Sequence, residues 1–196
     1  MSKRMPTQDF RPIHFHTARA YAKRRPNVFC MLMFDQGWTG LENGQNGESK
    51  LLTISDFLNE FNKVSGAQAE EFLDILKSYK LQYKPSFYTG DVGQGALLWE
   101  KNGKTCFRFW EGLTNDLVET LALVEPNSGI ENALRAVSTT LTEAKPSYKA
   151  LLDPGDIIVL DNKAVAHARN AFLPLKQNSS GIVEHTTRQV FNLQII

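Results

Sequence analysis

Several things are scarce in this chain, and each scarcity excludes something. Only two of its 196 residues are cysteines, Cys30 and Cys106. Both lie in apolar surroundings and read as small buried hydrophobes of a reducing compartment, not as a disulfide framework. No apolar run approaches the ~20 residues that a bilayer-spanning helix needs. The start, Met1-Ser2-Lys3-Arg4, is basic, but no apolar stretch follows it, so no secretory signal is read and a cytoplasmic protein is expected. Charge of one sign is lacking too. Lys and Arg number 22 against 21 Asp and Glu, a formal net charge of +1, which leaves no long-range field to draw the protein onto nucleic acid or membrane. There is no internal repeat, low-complexity tract or linker. The glycine-rich stretch from Gly90 to Gly95 has neither the spacing nor the Lys-Ser/Thr of a phosphate loop, and reads as a flexible loop or lid.

What is present is hydrophobic residue enough, 42%, to bury one core without metal or disulfide staples. Residues 1–11 read as a flexible arm and residues 12–196 as a single domain. Residues 12–17 alternate, with Ile13 and Phe15 facing one way and His14 and His16 the other. Residues 28–34 form a continuous apolar run, read as a buried strand. Residues 36–49 are a long Gly- and Asn-rich loop. Ser55 is read as the cap of a helix that aligns Phe57, Leu58 and Phe61. Further helices are predicted over residues 68–79 and 130–144. Residues 96–110 read as a hairpin turning at Asn102-Gly103. After the turn at Asp153-Pro154-Gly155-Asp156, residues 157–160 are predicted as a buried strand, followed by strands over 164–172 and 187–196. Strands at both ends with helices between suggest a β-sandwich or barrel with helical insertions.

Four histidines could carry chemistry. His14 and His16 share a face of the first strand, His167 follows a strand near the end, and His185 precedes the last strand. Histidines far apart in sequence converge readily at the mouth of such a barrel.

Residues 152–172, Leu-Asp-Pro-Gly-Asp-Ile-Ile-Val-Leu-Asp-Asn-Lys-Ala-Val-Ala-His-Ala-Arg-Asn-Ala-Phe, resemble the C-terminal signature of the taurine dioxygenase/clavaminate synthase-like superfamily of Fe(II)/2-oxoglutarate oxygenases. Its pattern is a Pro-Gly-Asp turn, an apolar strand, Asp-Asn, then His-Gly-Arg and a Phe. Residues 16–32 resemble the His-Thr-Glu-x-Ala-Tyr segment, then Arg-Pro-Asp and a strand, of the branch that hydroxylates amino acids. The resemblance implies a mainly β fold with α insertions, a double-stranded β-helix or jelly roll. It also implies Fe(II), 2-oxoglutarate and O2 as cofactor and co-substrates, and an amino-acid-like small molecule as substrate. His16 and His167 fall on iron-ligand positions. Arg188 and Ser49 fall where the family binds the far carboxylate of 2-oxoglutarate, a task that suits the planar fork of arginine. Arg169, after the second histidine, is a further candidate for the site.

The chain departs from that pattern in three places. Where the family has the carboxylate of a His-x-Asp/Glu motif, this chain has Ala18, as in the iron halogenases, where chloride takes the vacated position. Ala18 is therefore read as an open halide position and chlorination of an unactivated carbon as the expected reaction. Where the family often has a second arginine, this chain has Glu184. The segment before His16 is short for the family, which implies a homo-oligomer or a partner subunit. Alternatives are a hydroxylase in which water or His14 replaces the carboxylate, the latter as a three-histidine site, and a catalytically degenerate jelly roll that binds or supports another protein. Lys23-Arg24-Arg25 reads as a solvated turn, and Asp156 and Asp161 as turn and strand-end anchors. Asp91, Glu100, Arg108 and Asp116 are polar groups that no spacing singles out.

Overall fold

The structure, a computed structural model, describes residues 12–35, 47–83, 91–115, 117–172, 175–177, 183–185 and 189–195. The arm over residues 1–11, most of the loop over 36–49, Gly90, Asp116 and Arg188 lie outside the described residues. In chain order the elements are β1 (Ile13–His16), β2 (Val28–Asp35), β3 (Ser49–Thr53), α1 (Ile54–Ser65), α2 (Ala69–Ser78), β4 (Leu81–Tyr83), β5 (Gly93–Gly95), β6 (Leu98–Lys101) and β7 (Lys104–Phe107). A short 3-10 turn, Glu111–Leu113, leads into α3 (Leu117–Leu121) and α4 (Gly129–Glu143). The chain closes with β8 (Tyr148–Ala150), β9 (Ile157–Asp161), β10 (Val165–Arg169), β11 (Leu175–Gln177), β12 (Val183–His185) and β13 (Gln189–Ile195).

The helices start and stop for local reasons. Thr53, still extended, accepts a hydrogen bond on its hydroxyl from the Asp56 amide at 3.2 Å and so caps α1. The cap therefore lies two residues before Ser55, the residue expected to hold it. Phe57 and Phe61, one turn apart, are buried, and Gly66 ends the helix at φ 55°. Ser128 caps α4 through the Glu131 amide, while the Glu131 carboxylate accepts from the Asn127 amide at 2.6 Å. The first satisfies an amide the helix leaves open, and the second ties the residue before the cap to the first turn. Ile130, Leu134, Val137 and Leu141 form its buried stripe. The hairpin β6–β7 turns where expected, with Asn102 and Gly103 both at positive φ, as a type I′ turn requires.

Two antiparallel sheets carry the fold. One has the order β1-β10-β3-β8 and the other β13-β2-β9. Alternation sends Ala166 and Ala168 of β10 and Leu52 of β3 to the helical side, where they join Phe57, Phe61, Leu134 and Phe107 in the main core. The opposite side of that sheet carries His167 and Leu51. There Leu51 and Val165 meet Phe29, Met31, Ile158 and Leu160 of the second sheet, with Ala18 buried among them. This is the mainly β jelly-roll architecture expected, with α1, α2 and α4 as its helical insertions.

Four sequence readings need correction. The strands β2 and β9 are not buried on both sides. Phe29 and Met33 of β2 and Leu160 of β9 point inward, but Ile157 and Val159 are 63% and 64% exposed. Cys30, which pairs with Leu193 and Val159, lies on that outer face and is only half-buried. A continuous apolar run does not distinguish a strand covered on two faces from one covered on one. Residues 93–95 are not a free loop: they pair with β4. Arg25 does not belong to a solvated turn, since its guanidinium stacks over Trp99 at 4.7 Å.

Arg108 is a structural clamp. It is buried, its Nε donates to the Ala20 carbonyl, and its Nη2 donates to the Ala22 carbonyl at 3.0 Å. Its guanidinium lies 3.7 Å over the Tyr83 ring. A Cβ at Gly93 would fall 1.9 Å from Nη2, so only glycine leaves room there. Burial lowers the Arg108 pKa to about 10, Tyr83 opposes that and Arg25 adds to it, so the guanidinium stays charged at neutral pH. Arg108→Lys keeps the charge and removes the fork. It is expected to cost about 2 kcal/mol in urea unfolding with secondary structure retained. A loss below about 0.5 kcal/mol would show that the two carbonyl bonds hold little.

Candidate metal centre

The register of β1 and β10 brings two of the four histidines together. His16 stands opposite His167. Their ring centroids are 4.3 Å apart, tilted at 53°. His167 is also stacked on Phe29 at 4.6 Å, so a ring from the second sheet fixes its plane. Burial, reinforced by the neighbouring His16, holds the His167 imidazole well below its usual titration range. A neutral imidazole offers a lone pair to a metal.

The hydrogen bonds of the pair leave the right atoms open. His16 Nδ1 donates to the His14 carbonyl at 2.9 Å, which leaves Nε2 as the ring nitrogen that can reach a metal. His167 Nδ1 is buried without a hydrogen-bond partner among the described residues. A buried nitrogen left open in this way costs free energy unless something else satisfies it. These two rings fit a divalent metal with nitrogen ligands. Among the described residues no three His, Cys, Asp or Glu side chains already surround one point.

His14 joins the pair through its backbone. Its own ring, half-buried, is held below its ordinary titration range by burial and by the charge of Lys50. Ser49 is buried on β3, where its register partner is Arg169 of β10. Arg169 is buried too, with its guanidinium 4.6 Å over the Phe172 ring. On β10 Arg169 is two residues beyond His167 and on the same face, about 7 Å along the strand. A serine hydroxyl and a guanidinium thus lie one row from the histidine pair. Arg188 and the side chains of Glu184 and His185 lie outside the described residues.

Ala18 is buried between Phe29 and Leu160. Its backbone is held by Asn162, whose Oδ1 accepts from the Ala18 amide at 2.7 Å and whose Nδ2 donates to the Ala18 and Pro26 carbonyls, both at 3.0 Å. Asp161 and Asp156 act as local anchors, accepting from the Lys163 and Asp153 amides. Reading the sequence missed one residue, Glu111. Its Oε1 lies 3.6 Å from His16 Nε2, although it is far away in sequence and no motif marks it.

The sequence matches no family model and no curated protein. Solved structures do match. An asparagine oxygenase in complex with Fe(II), 2S,3S-3-hydroxyasparagine and succinate is similar at 19% identity and a TM-score of 0.60, over 94% of this chain and 50% of that one. The non-heme iron oxygenase OrfP in complex with Fe and alpha-ketoglutaric acid is similar at 13% identity and a TM-score of 0.60, over 94% and 49%. The PvcB protein from Pseudomonas aeruginosa is similar at 14% identity and a TM-score of 0.58, over 94% and 56%. This chain has their fold. It spans about half the length of each. No helix among the described residues is long and apolar enough to cross a membrane.

The Asn162 clamp sets the course of the chain beyond His16. Asn162→Asp removes both amide donors and sets a carboxylate against two carbonyls in a buried site. It is expected to cost about 3 kcal/mol and to lower Tm by roughly 6–12 °C in a calorimetric scan. An unchanged Tm would refute the clamp.

Proposed function

We propose that this protein is a non-haem Fe(II)/2-oxoglutarate-dependent oxidoreductase acting on an amino-acid-like small molecule. The observation that carries this reading is the pair His16–His167: two closely placed imidazoles, the first with Nδ1 tied to the His14 carbonyl, the second with a buried Nδ1 that has no hydrogen-bond partner among the described residues. His16 and His167 would hold the metal. Ser49 and Arg169, with Arg188, would hold the carboxylate of 2-oxoglutarate, the arginines by bidentate hydrogen bonds. Fe(II) with 2-oxoglutarate and O2 supplies oxidising power that no amino-acid side chain has. The chain's own contribution is to orient the rings, neutralise the co-substrate's charge and keep water out behind Phe29 and Leu160. The amino-acid class of substrate rests on the similar structures, which hold hydroxyasparagine and, in another OrfP structure, (3S)-hydroxy-L-Arg.

Oxygen transfer is the favoured reaction. Substrate R–H, 2-oxoglutarate and O2 give R–OH, succinate and CO2, with one oxygen atom in each of the first two products. It is favoured by the carbon environment of Ala18, packed on Phe29 and Leu160, where among the described residues the nearby amide donor, Asn162 Nδ2, is already bonded to the Ala18 and Pro26 carbonyls. Chlorination is the second reading, and the methyl group of Ala18 at the carboxylate position favours it. There chloride and a proton are also consumed, and R–Cl, succinate, CO2 and water are formed. A cytoplasmic location belongs to the same proposal.

Anaerobic titration with Fe(II) and 2-oxoglutarate is the test. The visible charge-transfer band of the chelate is expected in the wild type and lost in His167→Ala. On admitting O2 and a panel of free amino acids, succinate should form together with a product that has gained oxygen. A chlorine isotope pattern would select the second reading. Failure to retain iron would overturn both.

A further inference from the structure

Glu111 is the one carboxylate that approaches the histidine pair among the described residues, at His16 Nε2, although the three side chains do not yet surround one point. The set that binds iron in such oxygenases is two histidines and a carboxylate, which leaves three positions open. Two imidazoles alone hold Fe(II) weakly and leave its charge uncompensated. In this chain the position two residues beyond His16 is Ala18, which cannot ligate. The Glu111 carboxylate, however, approaches His16 at its open nitrogen, Nε2, and not at the Nδ1 that is occupied by the His14 carbonyl. Two donors that each sit about 2.1 Å from one metal are about 3.0–3.4 Å apart at octahedral to tetrahedral angles. The observed 3.6 Å between Glu111 Oε1 and His16 Nε2 is a few tenths of an ångström outside that range. Both side chains are largely shielded, at 12% and 15% exposure, so the carboxylate is held near the imidazole and not dispersed in solvent.

The backbone of Glu111 is anchored independently of its side chain. Its carbonyl accepts from the Thr114 and Asn115 amides, and Leu113 is buried beneath the turn. The carboxylate can therefore move onto an ion by rotation about its own side-chain bonds while the turn stays in place.

We propose that Glu111 is the carboxylate ligand of this site, supplied by the turn after β7 in place of the residue missing at Ala18. The proposal rests on the reading of His16 and His167 as metal ligands. It replaces the open halide position with a filled carboxylate position.

The test uses Co(II) alone as a spectroscopic probe, under anaerobic conditions, with affinity from calorimetry and coordination from visible absorption. Glu111→Gln is expected to weaken Co(II) binding at least about 10- to 100-fold, while far-UV circular dichroism is unchanged. Glu111→Asp should retain part of the affinity. The wild-type Co(II) spectrum should be indifferent to added chloride, and that of Glu111→Gln should respond to it. If the wild type binds Co(II) and Glu111→Gln binds within about twofold of it, Glu111 is a structural partner of His16 and the proposal is overturned, while the two-histidine reading survives. A wild type that binds no Co(II) overturns both.

A second observation stands apart from the site. Among the described residues the outer face of the sheet β13-β2-β9 is apolar and exposed. Ile157, Val159, Phe191, Leu193 and Ile195 are each more than half exposed, and register sets Cys30 and Leu32 between them. With Phe34 at the rim this face presents on the order of 700 Å², above the usual largest patch of a monomer and close to the ~800 Å² per partner of a standard interface. The face carries no charge along its centre, and a net charge of +1 sets up no repulsion between copies. We infer that a second copy of this chain covers it, sheet on sheet about a two-fold axis. Light scattering coupled to gel filtration is expected to give twice the 22.1 kDa chain mass. The double variant Val159→Lys, Leu193→Lys, at two exposed positions, should give the chain mass with circular dichroism unchanged. Cys30 lies centrally on this face, so a bis-maleimide about 10 Å long should link two copies, matching the spacing of packed sheets. Cys30→Ser should abolish the link. A monomeric wild type at tens of micromolar would refute the inference.

Discussion

The pairing of β1 with β10 is the constraint on which the rest depends. These strands are far apart in sequence, yet their register sets His16 opposite His167. A slip by one residue would turn every side chain of β1 to the other face, sending Phe15 into the site and both histidines into the helical core. The core forbids that slip. Phe15 is buried with Leu52, Phe57 and Phe109 on the far side of the sheet. The energy that holds the histidines together is thus hydrophobic and is stored on the opposite face. Burial of one aromatic ring contributes about 2–3 kcal/mol, more than the two imidazoles gain from each other.

Beyond His16 the chain leaves the sheet, and buried polar groups take over from strand pairing. Thr17 donates its amide to the Phe109 carbonyl at 2.8 Å. Asn162 holds both backbone groups of Ala18, and Arg108 holds the carbonyls of Ala20 and Ala22. Every one of these bonds runs to a residue at least eighty positions away. A segment without regular structure is made rigid this way because a buried amide or carbonyl left alone costs more than the bond itself contributes. The consequence for the candidate site is direct: the segment after His16 is tied down at Thr17 and Ala18, and Ala18 presents its methyl group to Phe29 and Leu160.

Much of this was legible in the sequence, and the residues say why. The alternation of Ile13, His14, Phe15 and His16, the Asn102-Gly103 turn and the stripe on α4 are local signals, and each is found as read. The openness of the outer sheet face was not legible, because it depends on what lies beyond the strand and not on the strand. Arg108 looked like an available polar group and is a clamp, because its partners are backbone carbonyls, which carry no sequence signal. Glu111 was invisible for a related reason. A ligand two residues from His16 would follow from strand geometry. A carboxylate from the turn after β7 follows only from tertiary packing.

That difference bears on what the absence of a motif residue can mean. A metal site needs charge and donor atoms at a point in space, and it is indifferent to the element that delivers them. In a strand, the side chain two residues past a histidine is on the same face, so His-x-Asp is the shortest solution. Where the chain leaves the strand at once and is pinned among carbon atoms, as at Ala18, a carboxylate at that position would have to be buried beside Phe29 and Leu160 at a cost of several kcal/mol. The turn at Glu111 approaches His16 from the side of Nε2, and there the largely shielded carboxylate faces an imidazole and not only carbon atoms. On the role proposed for Glu111, an alanine in the motif marks a carboxylate supplied from elsewhere, at a position where the local packing is carbon.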